Sequence, residues 1–336
     1  MSHVDPPIPL ERTGWGLPEH SDDQRLVVEG TGLEALPNLC AATEARGASG
    51  MLPSIEEKIL AKFQFDSGWD CMVAERMVYG LEDTQTLMVP QNMGNCVGDS
   101  HDCLIASRIG HEVLALGEAE EPLGRGMLGI PFIPYSYGVG RMVGNMLGPG
   151  DGSYCSAQIK GTMQYGFLPC FTPGLEEYSG TLPQASTNVG RLFGKSKREI
   201  MKWADKAQQF DLEEAPKVQT ADEAYDLIAN KQIPLQICSG QGFKYDRFDE
   251  KYGVHLYKMS GRWSHSMQLP TAFTIKGQQF TVIRNQWGIN QHKGSPEIGI
   301  PGGCMVITIE DFAKWLRKAQ CVGIGAIKGL ESNPGA

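Results

Sequence analysis

The chain has 336 residues, 41% of them hydrophobic and 21% charged, with a formal net charge of −9. That is the composition of a globular protein of two domains, or of one large domain with additions, and it excludes a disordered or collagen-like chain. No basic block offers a platform for phosphates, so nucleic acid is not an expected partner.

No run approaches the roughly 18 uninterrupted apolar residues of a membrane helix, and the start MSHVDPPIPLERT lacks the basic and apolar regions of a signal peptide. The expectation is a protein made in the cytoplasm, with no membrane partner. Residues 1–85 read as an N-terminal extension wrapping the body, with one helix signal: Ser54 followed by Glu57, a capping box ahead of Ile55, Ile59, Leu60 and Phe63. Residues 86–232 read as a mainly helical half. Its starts include Ser196 with Glu199 ahead of Ile200, Trp203 and Ala207, and Thr220 with Glu223 ahead of Ala224, Leu227 and Ile228. The stretch from Gly138 through Gly140 and Gly144 to Gly152 lacks the spacing of a dinucleotide fingerprint and reads as a plain loop. From 233 to 336 the pattern turns to β-rich runs at 235–238, 280–283, 304–308 and 322–324, which predict an antiparallel sheet. A helix over 311–318, with Phe312, Trp315 and Leu316 on one face, is expected to cover it. The fold class is therefore α+β.

Nine cysteines, at 40, 71, 96, 103, 155, 170, 238, 304 and 321, show no CxxC pair. Reduced, buried thiols are expected. Cys96, His101 and Cys103 are the nearest approach to metal-ligand spacing, but no second ligand pair follows, so no metal and no cofactor are expected. His101 and His292 read as surface residues.

Chemistry concentrates in three segments. In Gln91-Asn92-Met93-Gly94-Asn95-Cys96, a Gly two residues before a Cys lets the chain turn sharply into a helix. The thiol then meets the positive end of the helix dipole, which favours thiolate. The Gln91 amide and the Cys96 N–H are candidate donors to an oxyanion. In Trp263-Ser264-His265, a histidine sits in a strand-like segment. In Arg284-Asn285-Gln286-Trp287-Gly288, a strand ends in an Asn whose amide oxygen can fix the tautomer of an imidazole, with a Trp to cover the pair from water.

Taken together and in this order, the segments resemble the papain-like cysteine peptidases, over about residues 86–330. Gly150-Asp151-Gly152 resembles that family's glycine ridge. Cys238-Ser239-Gly240-Gln241-Gly242-Phe243 and Trp263-Ser264-His265 are especially similar to divergent papain-like proteins encoded among phage structural genes. The spacing from Cys96 to His265 exceeds the roughly 130–150 residues usual for the family, and an insertion at about 171–215 explains the excess.

The resemblance implies a helical subdomain, an antiparallel β subdomain and a groove between them. Cys96 would be the nucleophile, His265 its base, Asn285 the orienting residue and Gln91 the oxyanion donor. Gly150, Gly152, Ser239, Trp263 and Trp287 would line the substrate groove. It further implies a peptide or protein substrate, no cofactor, and a place in a virion or other assembly.

Two departures bear on activity. Gln91 stands five residues before Cys96, where the family has six. Asp99 follows closely enough to oppose a thiolate if ionised, and a second register would place Asp99 itself at the nucleophile position. A catalytically silent papain-fold structural component of a phage virion or other assembly is therefore the alternative.

Overall fold

The computed structural model describes residues 65–79, 91, 93–115, 131–170, 172–178 and 186–327. The Ser54–Glu57 helix signal lies outside them. A short strand, β1 (Ser67–Asp70), runs directly into helix α1 (Cys71–Tyr79). Asp70 holds the junction: its Oδ1 accepts from the Met72 N–H at 3.0 Å and from Thr271 Oγ1 at 2.6 Å. The first bond satisfies one of the donors that a helix start leaves open.

Helices α2 (Cys96–Ala115), α3 (Ile133–Val143) and α4 (Cys155–Tyr165) follow. Shorter ones come next: α5 (Thr187–Lys195), α6 (Lys197–Met201), α7 (Ala204–Ala207) and α8 (Ala221–Ala229). The two capping residues read from the sequence cap as expected. Ser196 Oγ accepts from the Glu199 N–H at 3.2 Å, and Thr220 Oγ1 from the Glu223 N–H at 3.1 Å. Glu223 reaches back past the cap instead of closing the box on Thr220, accepting from the Gln219 N–H at 2.8 Å. The helix expected to run on from Ser196 breaks at Lys202 and Trp203, where the indole turns into the core against Tyr178 with ring centroids 6.1 Å apart.

The Gly138–Gly144 stretch is not a loop. Gly138 and Gly140 lie inside α3, and glycine is there for close approach. A Cβ on Gly138 would stand 2.9 Å from the Phe193 carbonyl oxygen, and one on Gly140 would run into the Gln158 side chain of α4. Helix propensity is sacrificed so that α3 can press against its neighbours.

The β-rich part is built on a long hairpin, β2 (Leu235–Asp249) and β3 (Val254–Ile275), joined by β4 (Gln278–Arg284), β5 (Cys304–Thr308) and β6 (Ala319–Gly323). The order is β4-β5-β3-β2-β6, with β1 and β4 also pairing β3. All pairings are antiparallel except one parallel contact, Leu256 with Val306. Lys276 and Gly277 turn β3 into β4 with φ of 49° and 76°, the left-handed pair that a tight hairpin requires. Helix α9 (Ile309–Leu316) buries Phe312 and Trp315 completely, as its spacing predicts.

The architecture is thus α+β. One core cluster joins α1, α2 and α3 to β3, β4 and β5 through Met72, Leu104, Tyr135, Phe273, Phe280 and Val306. A second lies between β2, β3, α8 and α9, around Ile237, Met267 and Trp315. Residues 67–79, within the stretch read as an extension, belong to this body: β1 pairs with β3 from Ser67 opposite Thr274 to Asp70 opposite Thr271.

Candidate active site

Helix α2 begins at Cys96 itself. Ahead of it, the Asn95 carbonyl accepts the first helical bond, from the Asp99 N–H at 3.0 Å, and the Asn95 N–H donates to the Met93 carbonyl at 2.8 Å. Asp99 is fully buried, and its Oδ1 accepts from Asn95 Nδ2 at 2.8 Å, so this carboxylate ties down the turn that presents Cys96. Cys96 is also fully buried, clustered with Val97, Cys155 and Cys238.

Here the structure corrects the expectation of reduced thiols. Cys155 and Cys238 form a disulfide, with Cα atoms 6.4 Å apart, that joins α4 to β2 across 83 residues. Cys71, Cys103, Cys170, Cys304 and Cys321 are free thiols. Burial pushes the Cys103 and Cys304 thiols up to about 12 and raises those of Cys71, Cys170 and Cys321 as well.

The first turn of α2 is stitched to the sheet by a buried polar cluster. Gln236 Nε2 donates to the Val97 carbonyl at 2.9 Å and to Ser100 Oγ at 2.8 Å, and lies 3.1 Å from Ser266 Oγ. The Ser100 and Ser266 hydroxyls are 2.5 Å apart. Ser266 follows His265 in β3, so the segments carrying Cys96 and His265 are fastened to each other at adjacent residues.

His265 Nε2 donates to Asn285 Oδ1 at 2.8 Å. The Trp287 indole stacks on the imidazole at 4.7 Å and 23°, and Trp263 meets Trp287 edge-on at 4.7 Å. His265 and Asn285 are fully buried. Burial lowers the imidazole to about 4, against the opposing pull of the Asn285 bond. The ring is therefore neutral at pH 7, with its proton on Nε2 and the lone pair on Nδ1, the nitrogen facing away from Asn285.

The remaining sequence candidates fall as follows. Gln91 is buried. Its N–H donates to the Gln286 carbonyl at 2.8 Å, which docks the segment before Cys96 onto the loop carrying Asn285 and Trp287, while its Nε2 donates to the Met93 carbonyl. Gly152 is held by Tyr137 Oη at 3.1 Å and by Arg141 Nη1 at 2.7 Å. Gly150 is exposed, with open space around it. Ser239 is buried, its hydroxyl accepting from Trp315 Nε1 at 2.7 Å.

Neither His101 nor His292 is at the surface. His101 is fully buried with Nε2 2.7 Å from Thr162 Oγ1, and His292 is buried with Nε2 3.0 Å from Asn285 Nδ2. Sequence reading passed over His292 because a lone loop histidine carries no spacing signal. Its position seven residues after Asn285, within the same loop, is the one cue available. Among the described residues no group of three or more His, Cys, Asp or Glu is arranged to hold a metal, and no helix is long and apolar enough to cross a membrane.

The burial of His101 has a consequence for stability. Desolvation lowers its imidazole to about 4, a hydrogen bond to Gln236 working against it. The unfolded chain, titrating near 6.5, binds the proton first, so stability is lost as pH falls from about 6.5 to about 4, by ~3 kcal/mol for this residue. His101→Gln is expected to flatten that part of the profile in urea melts at pH 7, 5.5 and 4. A variant whose pH slope matches the parent's would show that His101 titrates normally.

No family model matches the chain, and no curated protein matches it. Among solved structures, it is similar to xylellain, a cysteine protease from Xylella fastidiosa. Identity there is 14% over 94% of this chain and 97% of that one, with a TM-score of 0.49. It is also similar to a digestive procathepsin L2 proteinase from the larval midgut of Tenebrio molitor, at 13% identity over 77% and 68% of the two chains, with a TM-score of 0.43. A third is a procathepsin B from Trypanosoma congolense, at 11% identity over 93% and 99%, with a TM-score of 0.43. Likeness of this degree leaves activity to be decided by the site.

Proposed function

We propose that the chain is a papain-like thiol hydrolase cleaving peptide or isopeptide amides. The observation that carries this reading is the buried imidazole–amide pair, His265 Nε2 to Asn285 Oδ1 at 2.8 Å beneath a stacked Trp287. This arrangement leaves Nδ1 as the basic nitrogen and excludes water from the pair.

In the proposed reaction His265 Nδ1 takes the Cys96 proton, and the sulfur attacks the carbonyl carbon of the scissile amide. The Cys96 N–H and the Gln91 amide stabilise the resulting oxyanion. The tetrahedral species collapses as His265 returns its proton to the leaving amine, and water then hydrolyses the thioester by the same path in reverse. The substrate is a peptide or protein, and the resemblance of the Cys238–Phe243 and Trp263–His265 segments to phage-encoded proteins supports a place for the chain in a virion or other assembly.

A second reading has its own support. Cys96 is completely covered and sits against the Cys155–Cys238 disulfide, as in a fold retained for structure with its triad silent. Access separates the two.

Treatment of native, unreduced protein with iodoacetamide at about pH 6, followed by peptide mapping, is expected to label Cys96 first, because the neutral buried thiols elsewhere are almost wholly protonated there. Labelling no faster than at Cys103, and unaffected by His265→Ala, would favour the structural reading. The Cys155–Cys238 pair becomes reactive only after a reductant is added.

A further inference from the structure

We propose that His292 is a positioning residue that sets, through Asn285, which nitrogen of His265 carries the proton; the inference rests on the reading of His265 as the base. A side-chain amide has two faces of opposite chemistry, an oxygen that only accepts and a nitrogen that only donates. Asn285 is gripped at both. Its Oδ1 takes the His265 Nε2 proton at 2.8 Å, and its Nδ2 donates to His292 Nε2 at 3.0 Å.

All three residues are buried, so water is not at hand to compensate a reversed amide, and each bond is strengthened by its surroundings. His292 Nε2 can accept only while its own proton is on Nδ1. In that state it holds the amide with Oδ1 towards His265, which keeps the His265 proton on Nε2 and Nδ1 basic. Without the acceptor, nothing at the far end distinguishes the two amide orientations. In the reversed one, Nδ2 faces His265 Nε2, the imidazole proton moves to Nδ1, and the base is closed.

Packing keeps His292 in place for this task. Tyr257 meets its ring edge-on at 5.5 Å, and Trp263 and Trp287 lie at 6.2 and 6.3 Å. The Tyr257 hydroxyl accepts from the Lys293 N–H at 2.9 Å, anchoring the loop one residue on. The aromatic shell that covers His265 is therefore shared with the second histidine, and Trp287 contacts both rings.

Two variants separate an acceptor from mere filling. His292→Phe keeps a ring among the aromatics and removes the acceptor. His292→Gln restores an oxygen at about the position of Nε2, although its own amide can also turn.

The primary measurement is the imidazole ¹⁵N shifts of His265 in uniformly labelled protein, which report the tautomer. The companion measurement is the rate of Cys96 alkylation, with a thermal melt to confirm folding. We expect the parent to hold the Nε2–H tautomer, the Phe variant to lose that preference while still folded, and the Gln variant to recover part of it. Alkylation of Cys96 should slow by about tenfold in the Phe variant, the lower end of what losing an orienting partner costs a histidine, and by less in the Gln variant.

An unchanged His265 tautomer in the Phe variant overturns the inference, as do equal losses in Phe and Gln, which would show that the ring matters and the acceptor does not. If instead the tautomer responds as expected while Cys96 is unreactive in the parent and indifferent to His265→Ala, the inference stands and the hydrolase reading falls.

Discussion

Replacing His265 with Ala is expected to lower amide hydrolysis by about 10²–10⁴-fold, the range that a positioned general base contributes. Asn285→Ala should cost less, about 10–100-fold, because it removes an orienting partner while the base remains. The difference follows from the geometry. His265 is buried and lowered to about 4, so at neutral pH it already stands as free base and needs no partner to stay deprotonated. What it needs is the proton on the correct nitrogen, and Asn285 Oδ1 at 2.8 Å supplies that bias. Loss of Asn285 leaves a base with a mixed tautomer; loss of His265 leaves none. Turnover of a fluorogenic casein by parent, His265→Ala, Asn285→Ala and Cys96→Ala proteins, each checked by thermal melt, reads the series. An ordering in which Asn285→Ala is the more damaging of the two, at equal stability, would mean that the amide does more than orient.

Local signals were legible in the sequence wherever one turn of chain contains the whole cause. Ser196 and Thr220 cap because a hydroxyl and a backbone N–H three residues on are all the motif needs, and α9 covers the sheet because its apolar face repeats at helical spacing. The Asn285–Trp287 segment was legible for the same reason: both side chains act on one ring from one loop. What escaped depends on residues far apart. The glycines of α3 look like a loop until Phe193 and Gln158 are seen pressing on them. The long β3 strand carries Gly261 and Pro270, which argue locally against a strand, and only its partners on both sides outvote them. Cys155 and Cys238 show no spacing that pairs them across 83 residues. His292 is polar and stands in a loop, and only the buried amide in front of it makes it more than surface.

A buried ion pair behind the site was equally invisible, since Glu75 and Arg284 are separated by 209 residues. Arg284 ends β4, one residue before Asn285, and Glu75 lies in α1. Arg284 Nη1 lies 2.6 Å from both Glu75 carboxylate oxygens, with both side chains fully buried. Ser107, on the helix that begins at Cys96, has its one hydroxyl proton within reach of both Glu75 and the Cys103 carbonyl and accepts from Arg284 Nη2 at 3.3 Å, while Arg284 Nε donates to Gln268. The network therefore clamps the helix of the proposed nucleophile to the strand that presents the orienting Asn285. Arg284→Met leaves a buried carboxylate without its countercharge, and about 3–5 kcal/mol of stability should be lost, as it should for Glu75→Met, which strands the guanidinium. The double replacement removes both charges, and because desolvating an ion pair consumes much of what its attraction returns, it should regain most of that loss. Urea melts of the four proteins read the cycle, and single variants costing less than about 1 kcal/mol, the scale of an exposed pair, would refute a buried clamp. Stability and site should then part company. The double variant is expected to fold and yet to alkylate more slowly at Cys96 than the parent, because two methionines can fill the volume of the ion pair but fix no angle between α2 and β4.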